Sequence, residues 1–162
     1  MNAHHEKIEK IRKLTFLTGL SEEAVDLLAQ NVEEVSFENG VDILLEGGEA
    51  TKMYLIKDGN VEIGSEMGEQ PRQRVQIVGP GDVLGWSWLF SPYIWSFSAK
   101  TLTPVRAYEF NGVAVRRYCD EHPKVGYELV LRFAKLMSMR LHEVNANIAE
   151  MSESRKLRVV GS

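Results

Sequence analysis

The sequence predicts a mainly β fold with flanking helices. The expected form is a double-stranded β-roll of the jelly-roll kind, with N-terminal helices before it and a long C-terminal helix after it. Three observations carry this. Between residues 32 and 110, turn signals recur roughly every 8 to 12 residues, as in sandwiches and rolls. Helical periodicity frames that stretch on both sides. The chain has 162 residues, 44% of them hydrophobic, which suits one globular domain with an appendage.

Residues 1–31 form the N-terminal helical part. Residues 3–30 read as helical, with Ile8, Ile11 and Leu14 to Leu17 as an apolar stripe. Ser21 begins a second helix as N-cap, and Glu22 and Glu23 occupy the first turn, where the macrodipole favours negative charge. Ala24, Val25, Leu27 and Leu28 give that helix its buried face. The β-roll spans 32–110. VEEVSF and VDILLE read as strands separated by Glu38-Asn39-Gly40. KMYLIKDGNVEIGSE reads as a hairpin turning at Asp58-Gly59, where glycine supplies a positive φ. RVQIVGPGDVL alternates through Val75 and Ile77 to a strand end at Val83-Leu84, and PVRAYEF closes the set.

Residues 111–152 are expected to be helical. Asn111 caps a short helix through Tyr118, and Pro123 sits early in a long helix, where its missing N–H costs nothing. That helix is expected to run to about Ser152, with 153–162 as a frayed tail. Val130, Ala134, Met137, Leu141, Val144, Ile148 and Met151 follow the a/d rhythm of a helix seam. About 30 residues of helix span roughly 45 Å, more than the roll can cover, so the spacing predicts a homodimer through residues 130–151.

Composition excludes several classes. Lys and Arg number 19 against 23 Asp and Glu, a net charge of −4, where a DNA-binding domain is usually basic. The run Arg155, Lys156, Arg158 is a solvated end. A helix-turn-helix module needs roughly 60 to 80 residues beyond the long helix, and only residues 153–162 follow Ser152, so no nucleic-acid partner is expected. The single cysteine, Cys119, permits no intrachain disulfide and reads as a small apolar filler. No signal peptide is visible, and no run approaches the roughly 18 apolar residues of a membrane span. A cytoplasmic protein with no membrane partner is expected.

The most informative stretch is Gly81 to Ala99, GDVLGWSWLFSPYIWSFSA. A Gly-Asp turn leads to a short apolar strand end, a Gly-opened helical turn, and a return through Ser98-Ala99. A helix N-terminus offers backbone N–H groups to a phosphate, yet the charges that usually accompany one are missing. All three tryptophans, Trp86, Trp88 and Trp95, fall here.

Helices, a β-roll, this Gly-opened segment and a long helix together resemble the cyclic nucleotide-binding domain family, over residues 14–150. Two segments carry the resemblance. Ile43-Leu44-Leu45-Glu46-Gly47 with Met53-Tyr54-Leu55-Ile56-Lys57-Asp58-Gly59 is similar to the first signature of the family. Gly81-Asp82-Val83-Leu84-Gly85, Leu89-Phe90 and Ser98-Ala99 are similar to its phosphate-binding cassette. The resemblance implies a regulatory sensor domain. It also names the positions that would touch a ligand: Gly85, Trp86, Ser87, Trp88, Ser96, Phe97, Ser98 and Ala99. In the family a Glu after the cassette glycine holds the ribose hydroxyl; Trp86 stands there. A small residue lets the backbone approach the phosphate; Trp88 stands there. An Arg before the Ser-Ala pair neutralises the phosphate; Phe97 stands there. The base is contacted from the long helix, near Val144-Asn145. Lys100 and Arg106 do not point clearly into the pocket.

A buried phosphate without a paired cation costs several kcal/mol. The expectation is therefore a stand-alone sensor whose ligand is not a standard cyclic nucleotide, or whose pocket Trp86, Trp88, Tyr93, Trp95 and Phe97 fill. The open pocket would suit an apolar, planar or cationic molecule, and an unknown protein partner is a further expectation. The alternative is a genuine cAMP or cGMP receptor with a rearranged cassette. A cupin-like roll can also host a metal enzyme, but His4, His5, His122 and His142 all lie outside the roll, so no catalysis, metal or cofactor is expected. Asp58 and Asp82 are explained by turn chemistry, and Glu46 and Glu49 by a solvated loop.

Overall fold

The computed structural model of the protein describes residues 3–14, 17–65 and 73–160, with side chains from residue 5 up to residue 142. The chain divides into two compact units, Met1–Gly126 and Tyr127–Ser162.

The first unit opens with α1 (Ala3–Arg12) and α2 (Glu22–Gln30). The helical reading of 3–30 is interrupted. The chain leaves α1 in tight turns, with Leu14 N–H donating to Ile11 O and Leu17 N–H to Leu14 O, and Gly19 takes φ +85°. Ser21 is the N-cap of α2, its hydroxyl accepting the Ala24 N–H at 3.2 Å. Ala24, Val25, Leu27, Leu28 and Ala29 form the buried face.

Eight strands follow: β1 (Val32–Phe37), β2 (Asp42–Leu44), β3 (Lys52–Asp58), β4 (Val61–Ser65), β5 (Gln73–Val78), β6 (Val83–Leu84), β7 (Ser98–Thr101) and β8 (Val105–Asn111). They make two four-stranded antiparallel sheets, ordered β1-β8-β3-β6 and β2-β7-β4-β5. The expected β3–β4 hairpin does not form, because β3 has β8 on one edge and β6 on the other. Met53, Tyr54, Leu55 and Ile56 are all buried, the mark of a central strand. Gly59, at φ +95°, therefore turns a corner between sheets. A Cβ there would lie 2.3 Å from Pro104 O, so the position admits glycine alone.

The alternation in β5 is real but faces outward. Val75 and Ile77 are exposed and Val78 is buried, in register with Val61, which pairs with Thr101. The Gly79–Asp82 turn is held by the Asp82 carboxylate, which accepts the Gly79 N–H at 2.8 Å. Asp58 pairs with Arg106, whose Nε lies 2.8 Å from Oδ2.

Helix α3 (Gly112–Glu121) starts at Asn111, whose side chain accepts the Ala114 N–H. It runs three residues past the expected Tyr118. Cys119 in α3 is half-buried, and burial pushes its thiol pKa up. Helix α4 spans Pro123–Val160, so the stretch expected to be a tail is helical to residue 160. No Gly or Pro lies between Gly126 and Gly161 to stop it. Among the described side chains of α4, the buried hydrophobic positions are Val125, Leu129 and Phe133. Of the expected seam, Val130 and Leu141 are exposed, as is Ala134, and Met137 is half-buried. The side chains of Val144, Ile148 and Met151 lie outside the described residues. Among the described residues no helix is long and apolar enough to cross a membrane.

Candidate functional site

The segment from Gly85 to Ser98 leaves β6 and returns into β7. It has little regular backbone pairing of its own. One 3-10 turn, Ser87–Leu89, and one bridge between Glu49 and Ile94 lie within it. The expected helix N-terminus is thus a single turn. Its Leu89 N–H donates to Trp86 O at 3.1 Å and its Phe90 N–H to Ser87 O at 3.4 Å.

Two glycines create the room for two indoles. At Gly85, φ is +93°, and a Cβ would lie 2.9 Å from the Trp95 ring. Trp95 therefore lies across Gly85, and its backbone is stitched to the 47–48 loop by Gly47 N–H to Trp95 O and Trp95 N–H to Gly48 O, both 2.9 Å. At Gly112, the first residue of α3, a Cβ would lie 2.9 Å from three atoms of Trp88. Trp88 is 1% exposed, and its indole N–H donates to Gly85 O at 3.1 Å. A buried indole with its N–H satisfied is a large apolar contribution with no polar penalty.

Helix α3 also holds the segment through Arg116, one helical turn after Gly112. The Arg116 guanidinium donates to Trp88 O at 2.6 Å and lies 3.8 Å from the Tyr93 ring centroid. Tyr93 has φ +58°, a left-handed conformation that costs a residue with a Cβ about 1–2 kcal/mol. A cation–π contact contributes about 0.5–2 kcal/mol and a hydrogen bond to a charged group about 1.5–3 kcal/mol, enough to offset it. Tyr93 also bridges backbone: its N–H donates to Phe90 O, and its C=O accepts the Ala50 N–H, both at 2.8 Å.

The candidate residues divide into two groups. Gly85 and Trp88 are built into the scaffold. So is Ser98, fully buried, with its Oγ accepting the Glu46 N–H at 2.9 Å. Ala99 is buried opposite Leu44 and Ile63. Trp86 and Ser87 are half-buried, and Ser96 is exposed. Phe97 is 45% exposed. The indoles that fill space are thus Trp88 and Trp95, whereas Trp86 and Phe97 keep accessible surface. Glu46 is not a simple solvated loop residue. It is half-buried, with its carboxylate 3.5 Å from the Ser65 hydroxyl.

Residues 81–99 contain no lysine or arginine to pair with a cyclic phosphate. Ser98 is fully buried with its Oγ accepting a backbone N–H, Phe97 precedes it, and the acidic residue Glu46 is its neighbour. Lys100 is exposed on β7, opposite Asp42 and Glu62, and Arg106 is spent on Asp58. Arg116 and Gly112 are the residues that reading the sequence missed. Their spacing of four after an N-cap places both on one helix face, which is the signal that finds them. A separate cavity of about 370 Å³, lined by residues including Lys7, Lys10, Glu34 and Tyr108, involves no residue of the 81–99 segment. His122 stacks on Tyr118 with centroids 4.0 Å apart, and His5 and His142 are exposed; the His4 side chain lies outside the described residues. Among the described residues no cluster of metal-binding side chains occurs.

Comparison with known proteins gives a consistent result. Residues 34–122 match the family model for the cyclic nucleotide-binding domain. A curated relative, the CRP-like cAMP-activated global transcriptional regulator of Mycobacterium tuberculosis, is 27% identical over 143 residues. That match covers 88% of this chain and 62% of the regulator, so the chain spans less than two thirds of that relative. A crystal structure from Geobacter metallireducens, named for cyclic nucleotide binding, is similar with TM-score 0.76 and 30% identity, covering 88% of this chain and all of the other. The regulatory subunit of a cAMP-independent protein kinase A from Trypanosoma brucei shares the fold, with TM-score 0.65, 21% identity and coverage of 83% of this chain and 50% of that one.

Proposed function

The chain belongs to the cyclic nucleotide-binding domain family, and from that premise we propose that it is a regulatory module whose ligand is not cAMP or cGMP. It senses a planar, apolar or cationic small molecule, or it contacts a protein partner, and it catalyses no reaction. The observation that carries this reading is Ser98. Its hydroxyl is fully buried against the Glu46 N–H, and Phe97 stands immediately before it. An anion brought there would find the Ser98 oxygen engaged by the Glu46 N–H, with only its O–H left as a donor, and no lysine or arginine within residues 81–99, so much of its desolvation cost of several kcal/mol would go uncompensated. The half-buried Trp86 and exposed Phe97 supply aromatic surface suited to a flat or cationic guest.

The fold alone does not choose the ligand. Among similar structures and relatives, one is described as cAMP-activated and one as cAMP-independent. The negative net charge of −4 favours small-molecule or protein contacts over nucleic acid. The proposed active form is a homodimer through residues 130–151 of α4.

Calorimetric titration with cAMP and cGMP tests the reading. The expected result is no binding at ligand concentrations of about 1 mM or below, weaker than roughly −4 kcal/mol. Micromolar binding that Trp86→Ala abolishes would overturn it and establish a receptor with a rearranged cassette.

A further inference from the structure

The geometry points to Arg116 as a positioning residue that latches the 85–98 segment to α3 in the absence of any ligand. The segment has one 3-10 turn and one bridge of regular structure. Further backbone bonds tie it to the 47–50 loop on one side, and side-chain contacts tie it to α3 on the other. Arg116 makes two of them at once: a 2.6 Å bond to Trp88 O and a stacked contact 3.8 Å from the Tyr93 centroid. Both contacts demand a planar cation. An arginine fork can donate from its edge while its face lies on a ring; a lysine ammonium is a point charge and does one or the other.

The latch sits at a place that needs one. Tyr93 is the described non-glycine residue with positive φ, and its two backbone groups tie the middle of the segment to Phe90 and to Ala50 on the opposite loop. Releasing Arg116 removes the stack that keeps Tyr93 in this conformation. It also removes the donor that holds the Trp88 carbonyl. The segment and α3 thus move together or not at all, and α3 leads through His122 directly into α4. This concerns the protein without ligand and holds whichever small molecule the roll accepts, so its test and the nucleotide titration fail separately.

The test is residue-resolved amide hydrogen exchange on the free, full-length protein. Tyr93 and Ala50 report the latch, because their N–H groups donate to Phe90 O and Tyr93 O. Ile56 and Gly81, whose N–H groups bond to Asp82 O and Ile56 O, report the fold at large. In Arg116→Ala, exchange at Tyr93 and Ala50 is expected to accelerate about tenfold or more, with Ile56 and Gly81 unchanged. Arg116→Lys keeps the charge and is expected to accelerate the same two amides several-fold; it carries the test if the alanine variant does not fold. Tyr93→Phe keeps the ring and leaves all four rates within about twofold. Unchanged exchange at Tyr93 and Ala50 in both Arg116 variants would overturn the latch. So would equal acceleration at all four amides, which marks general destabilisation.

Discussion

At Gly112 an added methyl group would meet Cβ, Cγ and Cδ2 of Trp88 at 2.9 Å each. Trp88 is buried and tethered by its indole N–H to Gly85 O, so it cannot swing aside cheaply. Gly112→Ala is expected to destabilise the fold by about 1–3 kcal/mol through overpacking, read as a lower urea midpoint, with a red shift of tryptophan emission. An unchanged midpoint would mean that the indole has another place to go. Tyr54 offers a different single-residue test. Burial, first, and then the adjacent Glu109 push its pKa up from the ordinary value of 10.0. The unfolded chain loses this proton near pH 10 while the folded chain keeps it. The stabilisation is therefore fully present below pH 10 and is lost as pH rises above it. Tyr54→Phe should flatten the fall in melting temperature above pH 10. A fall as steep as in the parent protein would show that another group governs it.

At the scale of elements, α4 carries the sharpest expectation. Its 38 residues make a rod of roughly 57 Å. Leu141 is 61% exposed, so Leu141→Asp should leave the protomer as stable as before. In the proposed dimer the same carboxylate would be buried and unpaired, which costs about 3–5 kcal/mol. Sedimentation is expected to show the parent protein as a dimer of 18.3 kDa protomers and the variant dissociating at concentrations about a hundredfold higher or more. A parent protein that is monomeric at about 50 µM removes the seam from the proposal. The corner at Gly59 shows how an element reading goes astray. Asp58-Gly59 flanked by two apolar runs is a fair hairpin signal. Yet a hairpin needs a free edge on each strand, and β3 has none, with β8 and β6 on its two sides. The local turn chemistry was read correctly; the partner of each strand was set by residues dozens of positions away.

For the whole molecule, the order of helices, strands and caps is what the chain itself determined. Periodicity, the caps at Ser21 and Asn111, and the turns at Gly59 and Asp82 act over a few residues, and local chemistry is enough to place them. The identity of the family was legible for the same reason, since its signatures are short glycine-bounded segments. Tertiary structure alone decided which strands pair, which tryptophans are interior, and where Arg116 acts. Trp86 and Trp88 are two residues apart and equally apolar, yet one is half-buried and the other sealed in. The difference lies in a hole left by Gly112, 24 residues beyond Trp88 in the sequence. A side chain's burial depends on complementary space supplied by remote residues, and that space exists only once the sheets and α3 have come together. The same assembly that seals Trp88 brings Arg116 onto Tyr93, so the arrangement that defines this cassette is a property of packing rather than of any local run of residues.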